Sequence, residues 1–494
     1  MSVITHSSSF PYTSHLILFR SILMFFSSLR ARWGMPNGYR DVLGVGLPLV
    51  ISMASSTVMQ FTDRLFLSHY SVDAIAAALP AAIVNLLFLL FFTGVAGYAN
   101  VFIAQYCGSA APARVGAALW QAIHFSLMGG VLLALLWFVA PFMFSFAGHP
   151  APVVRLEVIY FRVLTVGAVF MLLSSALSCF FSGRGLTRPV MVANIAAMII
   201  NIPLDYALIY GAWGLPELGI AGAGIATVAG WALTFFFLAL ATFTRRHDAM
   251  FGVLRNWRFE RALFLRMMRY GLPSGVNYFF EIFAITFFVF VIGRLGRVEL
   301  AATNIVFSID SLAFLPMLGL NIAVSTMVGQ AIGAGKPDAA GTAAMNTLHL
   351  ALAWMLCIGV MFIIFPGVLL DMFRPQDVSV QEYVPIREAG VVLMRFVAFY
   401  CLFDALSLVF FGAVKGAGDT YFVMWAMVVG CACMVAVIVI MRLWFDAGLI
   451  ALWVVLTCYA VALSLSALLR YRGGKWRSMK VVETVRRSPD AGPC

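Results

Sequence analysis

A chain of 494 residues that is 63% hydrophobic and only 11% charged, with a mean hydropathy of +0.97, carries too few charges to clothe a soluble globule, which leaves a membrane-embedded body. Its eight cysteines lie mostly inside apolar runs, without the paired spacing of a metal knuckle or a disulfide framework. The net charge of +11 resides in short connectors and tails rather than on a polar domain, a pattern of membrane orientation and not of nucleic-acid binding.

A bilayer crossing takes about 20 apolar residues. Apolar runs cut by Gly, Pro and charge predict twelve spans, at 42–68, 74–104, 116–147, 153–182, 189–210, 219–243, 264–293, 300–332, 341–370, 386–413, 420–443 and 447–470. Several exceed the thickness of a bilayer, so tilted or bent helices are expected, and Pro48, Pro80, Pro203 and Pro273 fall inside them. Ahead of the first span, His15 to Phe26 is apolar but too short to cross and is broken by Arg20. It reads either as an amphipathic segment on the membrane surface or as sequence upstream of a translation start at Met24 or Met35, and the second is preferred. With an even number of spans both tails share one side. Most of the 32 Lys and Arg fall in or beside the tails and connectors of that side, which the positive-inside rule makes cytoplasmic. The organisation that follows is an N-terminal extension (1–40), a first lobe (41–243), a cytoplasmic connector (244–263), a second lobe (264–470) and a basic tail (471–494).

The two lobes are one pattern written twice. Adding 225 to Gly46-Leu47-Pro48 gives Gly271-Leu272-Pro273; the same step carries Ala76-Ala77 to Ala301-Ala302, Gln105 to Gln330, Gly108 to Gly333, His124 to His349 and Pro141 to Pro366. Six spans per lobe is an even number, so both lobes enter the membrane in the same direction, related by an axis along its normal. Two such lobes around a central cleft form the arrangement by which alternating-access transporters rock about a site at mid-membrane. A duplication that merely reflects how large membrane proteins arise is the blander alternative.

A carboxylate at mid-bilayer costs a few kcal/mol unless it has a partner, a proton or a cavity. Five lie inside the predicted spans: Asp63, Asp205, Glu281, Asp310 and Asp404. They break the repeat, since Asp63 answers Phe288, Glu281 answers Ser56 and Asp310 answers Asn85; scaffold residues would recur, whereas a substrate or ion site can be one-sided. Asn201 and Asp205 share a helix face with Asn194, an oxygen cluster suited to a small hard cation or a proton, or else an interhelical hydrogen-bond cluster. Asp63 has Arg64 beside it, so its alternative is a local ion pair. Glu281 sits among Tyr278, Phe279, Phe280 and Phe283, and Asp404 beside Tyr400 and Phe403, with no adjacent cation. Arg162 and Arg395 are candidates to neutralise these acids or to snorkel to the interface. His124 and His349, symmetric under the repeat, read as structural. An aromatic, Met-rich cavity with a few acids would suit bulky organic cations.

Several of these segments resemble the multidrug and toxic compound extrusion (MATE) transporters. They are Phe61-Thr62-Asp63 with Ala74-Ile75-Ala76-Ala77-Ala78, Asn201-Ile202-Pro203-Leu204-Asp205-Tyr206 with Gly219 to Thr227, Val328-Gly329-Gln330-Ala331-Ile332-Gly333-Ala334-Gly335, and Lys415-Gly416-Ala417-Gly418-Asp419-Thr420. Arg64 departs from the small or apolar residue usual beside the first-span acid. The resemblance, over about 41–470, implies an all-α membrane fold of two six-helix lobes and secondary active efflux of organic cations or other amphipathic compounds against Na+ or H+, with no cofactor. By it, Asp63, Asn201, Asp205 and Thr227 match an N-lobe cation site. Glu281 and Asp404 match a C-lobe site, the Na+ candidate, with Asp310, Tyr278 and Tyr400 as additional candidates. It implies a monomer in the bacterial inner membrane, among lipids, with both termini cytoplasmic. Flippases for lipid-linked saccharides share the fold but would line the cavity with Arg. A membrane enzyme is the reading from another class, and no H-E-x-x-H, nucleophile elbow or Walker loop supports it.

Overall fold

The computed structural model describes residues 31–146, 148–374 and 379–483; the apolar stretch His15 to Phe26 lies outside them. Twelve of its helices are long and apolar enough to cross a membrane, and they are numbered α1 to α12: Tyr39–Tyr70, Val72–Gly108, Pro112–Ser145, Ala151–Ser182, Arg188–Tyr210, Ile220–Thr242, Arg261–Gly293, Arg297–Gly333, Pro337–Ile364, Gln381–Ala417, Thr420–Phe445 and Leu449–Arg472. The chain is a multi-pass membrane protein. No strand occurs among the described residues, as expected where a lipid core offers the backbone no other hydrogen-bond partner. Bulky side chains such as Phe138, Leu240, Trp444 and Leu469 point outward, and the large buried ones gather within the two lobes, α1–α6 and α7–α12.

The helices begin and end where local chemistry dictates. A capping box, Ser379 with Glu382, opens the tenth helix, and Gly418 in the left-handed region (φ +119°) closes it. Gly211 closes α5 in the same way. α2 breaks its regular winding at Tyr98, between Val72–Gly97 and Ala99–Gly108. The expected ninth span, 341–370, is two helices: α9 ends at Ile364, and Pro366, which has no N–H to continue the ladder, starts a separate turn, Pro366–Asp371. Its repeat mate Pro141 stays inside α3. The 244–263 connector carries a short helix, Arg245–Phe251, capped by the Thr244 side chain. The tenth span runs four residues past its expected end at 413, to Ala417, a difference that matters for the site.

The lobes meet through α1 against α8, α2 against α7 and the end of α2 against α8, the pairing a two-fold repeat requires. The contacts themselves repeat. A Cβ at Gly46 would lie 3.2 Å from Leu320, and one at Gly271 would lie 3.1 Å from the Val95 carbonyl; Gly46 and Gly271, like Val95 and Leu320, are 225 apart. At Gly108 a Cβ would strike the Gln330 carbonyl and at Gly333 the Gln105 carbonyl, so only glycine lets these backbones touch. The Asn100 amide donates to Thr326 Oγ1 at 2.9 Å across the same seam. These contacts all lie in the half of the molecule that holds the start of α1 and the end of α12, the tail side.

The described part of the tail fastens that side. Trp476 stacks on Tyr471 in the second lobe. Five residues on, Val481 and Val482 enter the core of the first, and the Val481 N–H donates to Gln105 Oε1 at 2.9 Å. Glu483 accepts from the Tyr106 hydroxyl at 3.0 Å and from Arg114 Nε at 3.1 Å, and it also pairs with Arg266. Arg114 in turn holds Glu260 of the connector through two bonds of 2.9 Å. One charge network thus ties the tail, the connector and both lobes.

Candidate functional site

The second lobe encloses a cavity of about 400 Å³, within the range that takes a small organic ligand. Glu281 of α7, Asp310 of α8 and Asp404 of α10 line it, together with Tyr278, Tyr400, Phe307, Phe314 and Phe411. The three acids are half-buried, as groups facing an internal space are. The Tyr400 hydroxyl donates to Asp310 Oδ2 at 2.9 Å, leaving Asp404 subject to the charges of both Asp310 and Glu281. Every C-lobe candidate read from the sequence, including Asp310, Tyr278 and Tyr400, therefore borders one space. The acids ring that space without forming a tight cage: among the described residues no three His, Cys, Asp or Glu side chains gather as a metal site would require.

One charged residue of this cavity escaped the sequence reading. Lys415, counted there as a connector residue, belongs to the last turn of α10, and its side chain lines the cavity. Its Nζ sits 4.6 Å from the centre of the Tyr278 ring. The signal was present in Gly418-Asp419, which stops the helix beyond Lys415 instead of before it. Asp419 of the same motif is buried and receives Arg470 Nε at 2.6 Å, so it locks α10 to α12 and does not face the cavity lining.

In the first lobe, Asp63 (7% exposed), Asn201 (1%) and Asp205 (0%) are buried. The Tyr160 hydroxyl donates to Asp63 Oδ2 at 3.1 Å. Asp63 forms no ion pair with Arg64, whose side chain is exposed, and the two acids Asp63 and Asp205 feel each other's charge. Neither oxygen of Asp205 nor either amide atom of Asn201 has a protein hydrogen-bond partner, an arrangement that dry protein tolerates poorly. The interhelical hydrogen-bond cluster considered for this face is absent from these side chains. Asn194 turns back onto its own helix, donating to the Val190 carbonyl at 2.9 Å. Thr227 is half-buried on α6, one turn before Gly230, where a Cβ on the glycine would lie 3.6 Å from the Asn201 Cβ.

The remaining singled-out residues lie elsewhere. Arg162 packs on the Trp137 ring at 4.9 Å and donates to its carbonyl; Arg395 is exposed. Neither neutralises a buried acid. His349 meets the Tyr39 hydroxyl at 3.1 Å and Arg32 at 3.4 Å, while His124 packs between Trp120 and Phe259.

The MatE family profile matches residues 48–207 and again 273–441, once per lobe. The chain is 26% identical over 379 residues to the multidrug resistance protein NorM of Aliivibrio fischeri, covering 76% of this chain and 81% of that one. It is 28% identical over 386 residues to the multidrug resistance protein PmpM of Pseudomonas aeruginosa, covering 77% and 79%. Among solved structures, an outward-facing multidrug resistance MATE transporter of the MOP superfamily superposes with a TM-score of 0.81 at 20% identity, over 91% of this chain and 99% of that one. A MOP superfamily transporter from Pyrococcus furiosus, described as having a binding pocket of reversed polarity, gives 0.80 at 20% identity, with 91% and 99% covered.

Proposed function

Because the chain belongs to the MatE family, we propose that it is a multidrug efflux transporter, exporting organic cations and other amphipathic compounds by alternating access in exchange for inward-moving Na+ or H+. The observation that carries this reading is the C-lobe cavity: three carboxylates and several aromatic rings around about 400 Å³ combine charge pairing with cation–π attraction, the two forces that hold an organic cation without a fixed shape. A lining with three acids and one base is the wrong polarity for a phosphate headgroup.

In this reading the tail side is cytoplasmic, in the bacterial inner membrane, and the protein works as a monomer. The seam between α1 and α8 and between α2 and α7 is then the inner gate, shut in this conformation, and the cleft faces outward. The coupling cation enters from outside, neutralises the acids, and makes release of the bound cation favourable because both cannot keep the same carboxylates. Two sets of acids are available to it. Asp205, buried without a hydrogen-bond partner, suits a proton; Glu281 and Asp404, which line one cavity, suit Na+. The lobes then rock, the inner gate opens, the coupling ion leaves to the cytoplasm, and a new substrate enters.

The test is transport in proteoliposomes of the full chain. An inward Na+ gradient imposed at constant pH is expected to drive a fluorescent organic cation out against its own gradient. Response to a pH gradient alone makes the acids proton carriers, and response to neither removes secondary efflux.

A further inference from the structure

The chain has 28 arginines but only four lysines, at 336, 415, 475 and 480. Lys415 alone of the four lies in a membrane-length helix. An arginine keeps its charge under all ordinary conditions, whereas a lysine presents a compact ammonium on a flexible stem. This one points into the C-lobe cavity, against the Tyr278 ring at 4.6 Å. Glu281 follows Tyr278 by three residues on the same face of α7, and its charge acts on Lys415. The ammonium therefore rests on one aromatic face within the field of one carboxylate that lines the same cavity, the seat that an organic ammonium compound would seek. Of the other charged groups lining the cavity, Asp310 is taken up by Tyr400, and Asp404 lies with it on the α8 and α10 side.

The seat also touches the seam. The backbone carbonyl of Lys415 accepts from the Tyr98 hydroxyl of the other lobe at 2.9 Å, and the next two carbonyls, of Gly416 and Ala417, accept from Gln105 at 3.0 and 3.2 Å. Tyr278 itself lies against Gly94 of α2. Parting of the lobes on this side must pull on the helix turn that carries the lysine.

We infer that Lys415 is a tethered counter-cation, which occupies the Tyr278–Glu281 seat in the absence of substrate and is displaced from it when an organic cation binds. The inference rests on the C-lobe cavity being the substrate site. It gives Glu281 a partner whenever neither substrate nor coupling cation holds it, since a carboxylate left without one in a low-dielectric interior is costly. It also makes Lys415 a specificity-determining residue: a ligand gains a place only if its own cation outcompetes one already held at high effective concentration.

The experiment measures binding of tetraphenylphosphonium to the full chain in nanodiscs, with folding monitored by size-exclusion. Lys415→Met is expected to bind the probe about tenfold more tightly than wild type, because an internal competitor is gone. Lys415→Arg should stay within about threefold of wild type, and adding Glu281→Gln to Lys415→Met should cancel the gain. Reductive methylation read by mass spectrometry reports on the amine directly: saturation with the probe should raise labelling of Lys415 several-fold relative to Lys336, and Glu281→Gln should do so without probe. Equal or weaker binding by folded Lys415→Met, or Lys415 labelling unmoved by probe, overturns the displacement. If no form binds the probe, the reading of the cavity as substrate site fails, and labelling of Glu281→Gln still decides whether the seat exists; no rise there overturns it too.

Discussion

Gln105 and Gln330 perform the same task from opposite lobes. The Gln105 amide donates to the Gly416 carbonyl at 3.0 Å, and the Gln330 amide donates to the Gly183 carbonyl at 2.9 Å, so each lobe ties down the end of a helix in the other. The exchange is possible because Gly108 and Gly333 beside them bring the two backbones into contact. The closed contact on the tail side is thus built from a reciprocal pair of polar locks along a line of touching glycine backbones.

A side chain in that line of contact should wedge the seam. In Gly333→Ala the new Cβ meets backbone, at the Gln105 carbonyl, which has no flexible end to yield. The expected outcome is a drop of about tenfold in the rate of disulfide cross-linking between cysteines introduced on either side of the seam, equivalent to a bias of ~1.4 kcal/mol against closure. Unaltered cross-linking would mean that the lobes part without cost at this line.

Asp404→Asn and Glu281→Gln are each expected to abolish gradient-driven efflux while leaving expression largely intact. An amide keeps the shape of the group but neither exchanges a proton nor offers a charge to a cation. Both acids face the cavity and not the packed core, so loss of activity should come without loss of fold. Efflux above half of the wild-type rate in both variants would remove the C-lobe acids from the mechanism.

In the first lobe, Asp205→Asn should reduce transport more than Asn201→Ala. Both side chains lack protein partners, but only the carboxylate can change charge. Vesicle transport assays on both, with thermal stability measured alongside, separate the outcomes; equal losses with a lowered melting temperature in both would mark the pair as packing elements.

The tail clasp should be sensitive to acid. Burial alone would raise the Glu483 carboxyl, but the hydrogen bonds at its own backbone and from Tyr106, with the charges of Arg266 and Arg114, prevail and hold it below its ordinary value of 4.5. A group lowered in the folded state stabilises fully above that ordinary value, and the contribution is lost as pH falls through the folded-state value. A fluorophore on Lys480→Cys should therefore become accessible to a soluble quencher as the pH drops below 4.5. In Glu483→Gln it should be accessible at every pH. Equal, pH-independent protection in both would leave the hold on the tail to Val481 and Val482 alone.

Much of this was legible because a membrane interior simplifies the code. Apolar length alone yields the twelve helices, and the repeat at Gly46 and Gly271 yields two lobes of six, but which helices touch across the seam came only from the structure. The acids stand out because hydrocarbon makes each one expensive. Lys415 was hidden because hydropathy fades before the helix ends, so a residue still inside α10 reads as connector. The break at Pro366 was hidden because its repeat mate Pro141 is accommodated within a continuous helix. The path of the tail left no trace: Val481, Val482 and Glu483 follow no periodicity, and their partners, Gln105, Tyr106, Arg114 and Arg266, are far away in the chain. Whether Asp63 pairs with Arg64 or turns inward was undecidable from adjacency, since neighbours on a helix point in different directions.

The clasp also sets an order of events during synthesis. Tyr106 and Glu483 are 377 positions apart, and chains emerge N-terminus first, at about 5–20 residues per second, so on the order of 20 to 75 s separates the appearance of one from the other. Throughout that interval the first lobe is in the membrane with Gln105, Tyr106 and Arg114 awaiting the residues that will cover them. The protein is therefore assembled like a box whose last board is nailed from the far end: the hold of the tail on the first lobe forms last, and a chain cut short before residue 481 would keep the Asn100, Gln105 and Gln330 bonds between the lobes but lack the clasp laid over them.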